Sequence, residues 1–184
     1  RHAEAHAVCH AHVLAFTELL NNPAAKDHVA GAKVVAAFKG GSPDIPSSIN
    51  RIETNAAVLQ DKYGVKICDT IEQLCDRVDG VLIESVDGRP HLAPAQKVIA
   101  ARKPMFIDKP LAGSLPDALE IIRLAQEAGV PMFTSSSLRY AKSTQAVRGG
   151  SIGKVQSAET SSPATLEPHH PDLYWYGIHG CEAL

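Results

Sequence analysis

Short apolar runs alternate along the chain with longer segments whose apolar residues recur at helical spacing. Ala32 to Phe38, Val65 to Ile67, Val81 to Ile83, Met105 to Ile107 and Val130 to Thr134 read as strands. His12 to Leu20, Ile49 to Tyr63, Thr70 to Arg77, the segment after Pro90, the segment from Ser114 and Leu138 to Val147 read as helices. Gly64 and Gly129 sit where left-handed caps end two of them. Thr70 with Gln73 forms a capping-box pattern, and Ser114 is placed as an N-cap with Pro116 and Asp117 behind it. Leu115, Ala118, Leu119, Ile122 and Ala125 form the apolar stripe predicted to bury that last helix.

Strands recurring with helices between them predict an α/β fold, a Rossmann-like doubly wound parallel sheet. The stretch from Asp79 to Leu111 is its centre: strand, helix, strand, the parallel βαβ arrangement. Both strands end in polar residues, Glu84, Ser85 and Asp87 on one, Asp108 and Lys109 on the other. Open parallel sheets bind ligands outside the carboxyl ends of their strands, so this edge is the candidate site. After Gly149 and Gly150 the pattern changes. SIGKVQSAETSSPA reads as a turn and a strand, and DLYWYGIHGCEAL as a helical end. The domains predicted are 1–149, Rossmann-like, and 150–184, the truncated start of an α+β domain.

Composition narrows the function classes. Net charge is −2 over 184 residues, which gives no electrostatic case for nucleic acid or an anionic membrane. No apolar run reaches bilayer-spanning length. Cys9, Cys68, Cys75 and Cys181 lack metal-site and disulfide-scaffold spacing, so reduced thiols in a cytoplasmic setting are the simplest reading. His2, His6 and His10 are four apart and would share one face of a helix, with Cys9 and His12 close by; that spacing suits Zn, Cu or Ni. A ragged terminus is the simpler reading, and no metal site is assigned.

Three stretches, in order, carry a family resemblance: the strand end ESVDGRPH with His91, the triplet Asp108-Lys109-Pro110, and Tyr176-Gly177-Ile178-His179 followed by Glu182. SIGKV at the crossover is a fourth, weaker match. Together they resemble the Gfo/Idh/MocA family of nicotinamide-dependent oxidoreductases. The resemblance implies hydride transfer between NAD or NADP and a hydroxyl-bearing small molecule, a sugar or polyol derivative, with a homo-oligomer at full length. It implies Lys109 and His179 as catalytic residues, the Lys109–Pro110 bond often being cis in relatives. It implies Lys39, Ser42, Ser85, Asp87, His91, Asp108 and Pro110 along the cofactor. Lys39 and Ser42 stand where an acidic residue usually holds the adenine ribose, which favours NADP. Arg139 could meet a phosphate or carboxylate, or lie on the surface. Glu182 could orient His179.

The departures are specific. HAVCHAH stands where the family has a glycine-rich turn, and no apolar strand is evident before it. Side chains there block the close approach of a pyrophosphate that glycine allows, which predicts weak dinucleotide binding. Trp175 stands where the histidine motif often has Asp. Ile152, Val155, Trp175 and Ile178 read as uncovered apolar surface. The alternative function is a catalytically inert Rossmann-like remnant that binds a small molecule or a protein partner.

Overall fold

A computed structural model describes residues 3–8 and 11–184, with side chains from residue 12 onward. Six parallel strands form one sheet in the order β3-β2-β1-β4-β5-β6. They are β1 (Ala3–Val8), β2 (Ala32–Phe38), β3 (Lys66–Cys68), β4 (Val81–Ile83), β5 (Met105–Asp108) and β6 (Met132–Ser135). Strand order reverses between β1 and β4, the switch point at which a doubly wound sheet opens its ligand crevice.

The first strand corrects the sequence reading. AEAHAV carries polar Glu4 and His6 among small alanines and shows no apolar run, yet it lies at the centre of the sheet. It pairs with β2 over its whole length and with β4 through Ala7 and Val8. Strand formation here comes from pairing on both sides rather than from propensity. Because Ala3–Val8 is extended, the helical histidine face does not form; His2, Cys9 and His10 lie outside the described residues. The β1–β2 ladder skips Val35, so Val34 and Ala36 point to opposite faces of the sheet.

Helices cover both faces. On one, α1 (Ala11–Asn21) and α3 (Ile52–Tyr63) bury Val13 and Leu59 against Val34, Ala37 and Val65. A short helix, α2 (Pro46–Ile49), precedes α3 inside what reads as a loop; Pro46 starts it. On the other face, α4 (Ile71–Cys75), α5 (Leu92–Ala100) and α6 (Leu115–Ala128) pack on Ala36, Val81, Ile83, Met105 and Ile107. The caps fall where predicted. Thr70 accepts from Gln73 N and Ser114 from Asp117 N, while Gly64 and Gly129 take φ of 67° and 64°. The Gln73 amide returns to Asp69 N, one residue before Thr70.

The stripe of α6 is rotated from the predicted one. Leu115 and Leu119 are 61% and 57% exposed, whereas Ile121 and Ala125 are buried, with Ala118, Leu124 and Ala128 beside them. Both rows are apolar, so periodicity did not separate them; contact with α5 and the sheet did. The segment after β6 forms a 3-10 turn (Ser137–Tyr140) and α7 (Lys142–Arg148) in place of one helix. Residues 151–158 form no strand, since no neighbour offers a ladder. A second 3-10 turn (Asp172–Tyr174) and α8 (Ile178–Ala183) close the described chain. Among the described residues no helix is long and apolar enough to cross a membrane.

Ala7 pairs on both sides, so Ala7→Pro removes a donor from the middle of the sheet. The expected outcome is loss of the cooperative urea transition followed by circular dichroism; an unshifted transition would remove β1 from the centre of the fold.

Candidate active site

The carboxyl ends of β4 and β5 are locked to each other before any ligand is considered. The loop after β4 carries Asp87 and Gly88, and a Cβ on Gly88 would fall 2.6 Å from the carbonyl carbon of Ala112. A Cβ on Gly113 would fall 2.9 Å from Cα of Arg89. Two backbones therefore meet where only glycine fits, so the Asp-Gly pair does more than make a turn. His91, fully buried just before α5, bridges the same loops: its ring nitrogens lie 3.1 Å from the Ser85 carbonyl and 3.2 Å from that of Leu111. Burial holds its pKa below the ordinary value, so the ring is neutral and donates to one carbonyl at a time. The structure thus places His91 as a staple inside the fold. Ser85 is buried with its carbonyl on this staple.

Asp87 is the hub of the edge formed by the loops after β2 and β4. It accepts from the Ser42 hydroxyl, from Arg89 N at 2.9 Å, and from Arg89 Nε and Nη2. Arg89 also forks onto Asp44 with two bonds of 2.9 Å. Burial pushes the Asp87 carboxyl up, but Arg89 and Ser42 outweigh it and hold it below the usual carboxylate range. Ser42 and Asp87, both candidate cofactor residues, are therefore bonded to each other. Lys39, the third residue of that edge, reaches Glu53 in the first turn of α3 at 3.0 Å. His170 is buried, accepts from Gly88 N at 3.3 Å and packs at a tilt against Trp175, which is buried rather than uncovered. Ile152 and Val155 are exposed as expected.

At the other end, α8 brings His179 back to the edge, and Ser136 and His179 Nδ1 are hydrogen bonded at 2.7 Å. Glu182 does not orient this imidazole; it accepts from Arg139 Nε at 2.6 Å. That bond also occupies the arginine considered for a phosphate. Lys109, joined to Pro110 by a cis bond, is buried and lies with its ammonium 5.2 Å from the Tyr176 ring centre. Tyr176 meets His179 edge-on. Lys109, His179, Asp108 and His12 line one cleft of about 590 Å³, whose far wall is apolar, with Phe16, Phe106 and Phe133.

Asp108 carries the electrostatics. Buried at the end of β5, it accepts from His12 Nδ1 at 2.5 Å and from Lys109 N at 2.8 Å. Burial pushes the Lys109 pKa down, with Asp108 pulling it back. Burial, then the Lys109 charge, holds His179 below its ordinary value, which keeps its imidazole free to take a proton. Glu84 is the outlier. It is 1% exposed, both carboxyl oxygens lack a hydrogen-bond partner, and burial followed by Asp108 raises its pKa well above the ordinary value. Among the described residues no group of three or more His, Cys, Asp or Glu side chains is arranged to hold a metal.

Sequence reasoning brought together Lys109, Asp108 and His179 and set Glu84 at the same strand-end edge, but gave no role to His12 or Ser136, and Tyr176 entered only as part of the histidine motif. Ser136 and Tyr176 become visible only when α8 folds back.

With this geometry in place, the comparisons are direct. A family profile described as Oxidoreductase family, NAD-binding Rossmann fold (GFO_IDH_MocA) matches residues 18–136. The chain belongs to that family. It is 29% identical over 148 residues to a 1,5-anhydro-D-fructose reductase of Ensifer adhaerens, covering 77% of this chain and 44% of the relative. An oxidoreductase from Agrobacterium radiobacter, solved with NAD+, L-tartaric acid and magnesium, shares the fold with a TM-score of 0.63 at 19% identity, over 84% of this chain and 42% of that one. A myo-inositol 2-dehydrogenase from Lactobacillus plantarum gives a TM-score of 0.62 at 20% identity, over 84% and 43%. The chain thus spans less than half the length of the relatives it matches.

Glu84 makes stability depend on pH with a defined sign. Its folded pKa lies above its unfolded one, so its contribution is fully present below the ordinary glutamate range and is lost as pH rises through the elevated value. Urea unfolding of wild type and Glu84→Gln across pH is expected to diverge from the ordinary glutamate range upward and to level off above the raised value, wild type losing up to about 1.4 kcal/mol per pH unit relative to the variant in between. A difference independent of pH would mean that Glu84 titrates normally.

Proposed function

We propose that this chain is the dinucleotide-binding part of an NAD(P)-dependent oxidoreductase that transfers a hydride between the nicotinamide and a hydroxyl-bearing small molecule, a sugar or polyol derivative. One observation carries the reading. Lys109 and His179, distant in sequence, line the same cleft at the carboxyl ends of a doubly wound sheet. The names of the relatives, an anhydrofructose reductase and an inositol dehydrogenase, support the substrate class.

The residues fit the cofactor in part. The crevice between β1 and β4 lies at the switch point, with the start of α1 beside it and an unpartnered buried carboxyl at its edge. Ser85, Asp87, Asp108 and Pro110 border its nicotinamide side, and Lys39 and Ser42 its adenosine side. When bound, the nicotinamide ring supplies the hydride-accepting carbon. His179, hydrogen bonded to Ser136 through Nδ1, presents Nε2 to take the hydroxyl proton. Lys109 holds a positive charge in a buried position where an alkoxide would develop. Asp108 holds His12 and counters part of the burial that lowers the Lys109 pKa. The second reading, an inert remnant binding a small molecule or a protein partner, is favoured by the sequence HAVCHAH, which has no glycine where the family carries its glycine-rich stretch.

Titration with NADH and NADPH, followed by nicotinamide fluorescence, separates the two readings, since the remnant binds neither. In the protein that carries out the reaction, Lys109→Ala and His179→Ala are each expected to slow hydride transfer by about two orders of magnitude or more while leaving the fold intact. Near-wild-type turnover of either variant would remove that residue from the chemistry.

We further propose NADP over NAD, with Lys39 released from Glu53 to meet the 2′-phosphate. NADPH is then expected to bind more tightly than NADH, and Lys39→Asp to invert the order, by roughly tenfold to a hundredfold. Equal affinities before and after the substitution would reject the preference.

A further inference from the structure

The chain beyond Trp175 has no buried residue to hold it. Trp175 itself is buried, but no residue of α8 is, and Tyr176 and Leu184 on either side of the helix are exposed. A helix of six residues without a buried face is not kept in place by apolar packing, yet this one carries His179 to the cleft. What holds it is a matched pair of polar contacts on the 3-10 turn after β6. Ser136 caps that turn, its hydroxyl accepting from Leu138 N at 3.2 Å. Arg139 follows three residues on, one full 3-10 turn later, so both side chains face α8. His179 and Glu182 are also three apart and share a face of α8. The two spacings meet: Ser136 with His179 Nδ1 at 2.7 Å, and Arg139 Nε with Glu182 at 2.6 Å. Gln145, on α7, donates to the Arg139 carbonyl at 2.5 Å and braces the turn. Thr160 adds one bond, to the Gly180 carbonyl at 3.0 Å. The Glu182 side chain is only 10% exposed, which sets its ion pair apart from the solvent-screened ones elsewhere on the surface.

We propose that Arg139 is a positioning residue: through Glu182 it clamps α8 to the turn after β6 and so holds His179 over the cleft. The inference rests on the reading of His179 as the proton acceptor and adds what places it there. Glu182 makes no bond to the imidazole; it acts on the helix that carries it. With the clamp broken, Ser136–His179 is the one side-chain bond left between the turn and α8. A single hydrogen bond contributes too little net free energy to fix both a ring and its helix, and so short a helix has no cooperativity of its own to fall back on. The imidazole then leaves the edge it shares with Lys109. The groups that face it in the docked position are Asp108 and Lys109 at the end of β5, His12 on α1, Tyr176 ahead of α8 and Glu182 on α8.

The test follows the His179 imidazole by NMR titration in the 184-residue chain, comparing wild type with Arg139→Ala, Arg139→Lys and Glu182→Gln. Amide signals of β4 and β5 report in the same spectra that the sheet is intact. In the docked position burial, then the Lys109 charge, holds the His179 pKa down, while the Glu182 charge acts the other way. Release of α8 removes the first two influences, so the titration midpoint is expected to rise toward the ordinary histidine value in Arg139→Ala and in Glu182→Gln alike. Charge alone would give opposite signs: losing the cation raises the midpoint, losing the carboxylate lowers it. Arg139→Lys, which keeps a cation beside Glu182, is expected to stay close to wild type. In the protein that carries out the reaction, Arg139→Ala is expected to lower kcat by about tenfold to a hundredfold with cofactor affinity unchanged. A midpoint that falls in Glu182→Gln, or that moves in neither Arg139→Ala nor Glu182→Gln, would overturn the clamp. Near-wild-type turnover of His179→Ala would instead overturn the reading of His179 without altering the titrations, so the two failures are told apart.

Discussion

The loops that follow β4 and β5 meet backbone against backbone, and the strand end that carries Asp108 and Lys109 is held by that contact. Gly88 against Ala112 and Gly113 against Arg89 leave no room for a Cβ. His91 then ties the two loops through the Ser85 and Leu111 carbonyls. A rigid junction of this kind fixes where Lys109 leaves the sheet, and positional precision at a reacting centre is worth more than any single added contact. The resemblance placed His91 on the cofactor; the geometry gives it a part that is less direct and equally necessary, since it sets the distance between the two strand ends that flank the cleft.

The same edge divides into two electrostatic halves. Toward β2, charges are cancelled locally: Asp87 with Arg89, Arg89 with Asp44, Lys39 with Glu53. Several of these pairs are near the surface and contribute little stability individually, but they hold the loops after β2 and β4 together. Toward β5, charge is concentrated instead. Asp108 is one buried carboxylate beside His12, Lys109 and Glu84, with His179 across the cleft. A paired, quiet half suits recognition of a fixed group; an unbalanced, desolvated half is where pKa values move and proton transfer is arranged.

Most of the fold was legible because its signals are local. Caps at Thr70, Ser114, Gly64 and Gly129 and the apolar runs of β2, β4, β5 and β6 depend on neighbours in sequence. What was not legible depends on tertiary pairing. AEAHAV is a strand because β2 and β4 lie on either side of it. The face of α6 is chosen by α5 and the sheet between two equally apolar rows. The strand read into residues 151–164 has no partner to pair with. At the site, Lys109 and Asp108 were visible as polar residues ending an apolar run, and His179 by motif. His12 reaches the cleft through entry of α1, and Ser136 and Tyr176 meet His179 only when α8 folds back, which no spacing in the sequence encodes.

Burial is what lets the cleft hold a lysine beside a histidine that stays a base. It lowers the pKa of both; Asp108 counters part of that effect on Lys109, and the Lys109 charge adds to it on His179. The sheet register sets a second carboxyl, Glu84, next to Asp108 at the ends of neighbouring strands, where burial first and Asp108 second raise its pKa. The order of the strand ends is therefore part of the electrostatics of the site as well as of the fold.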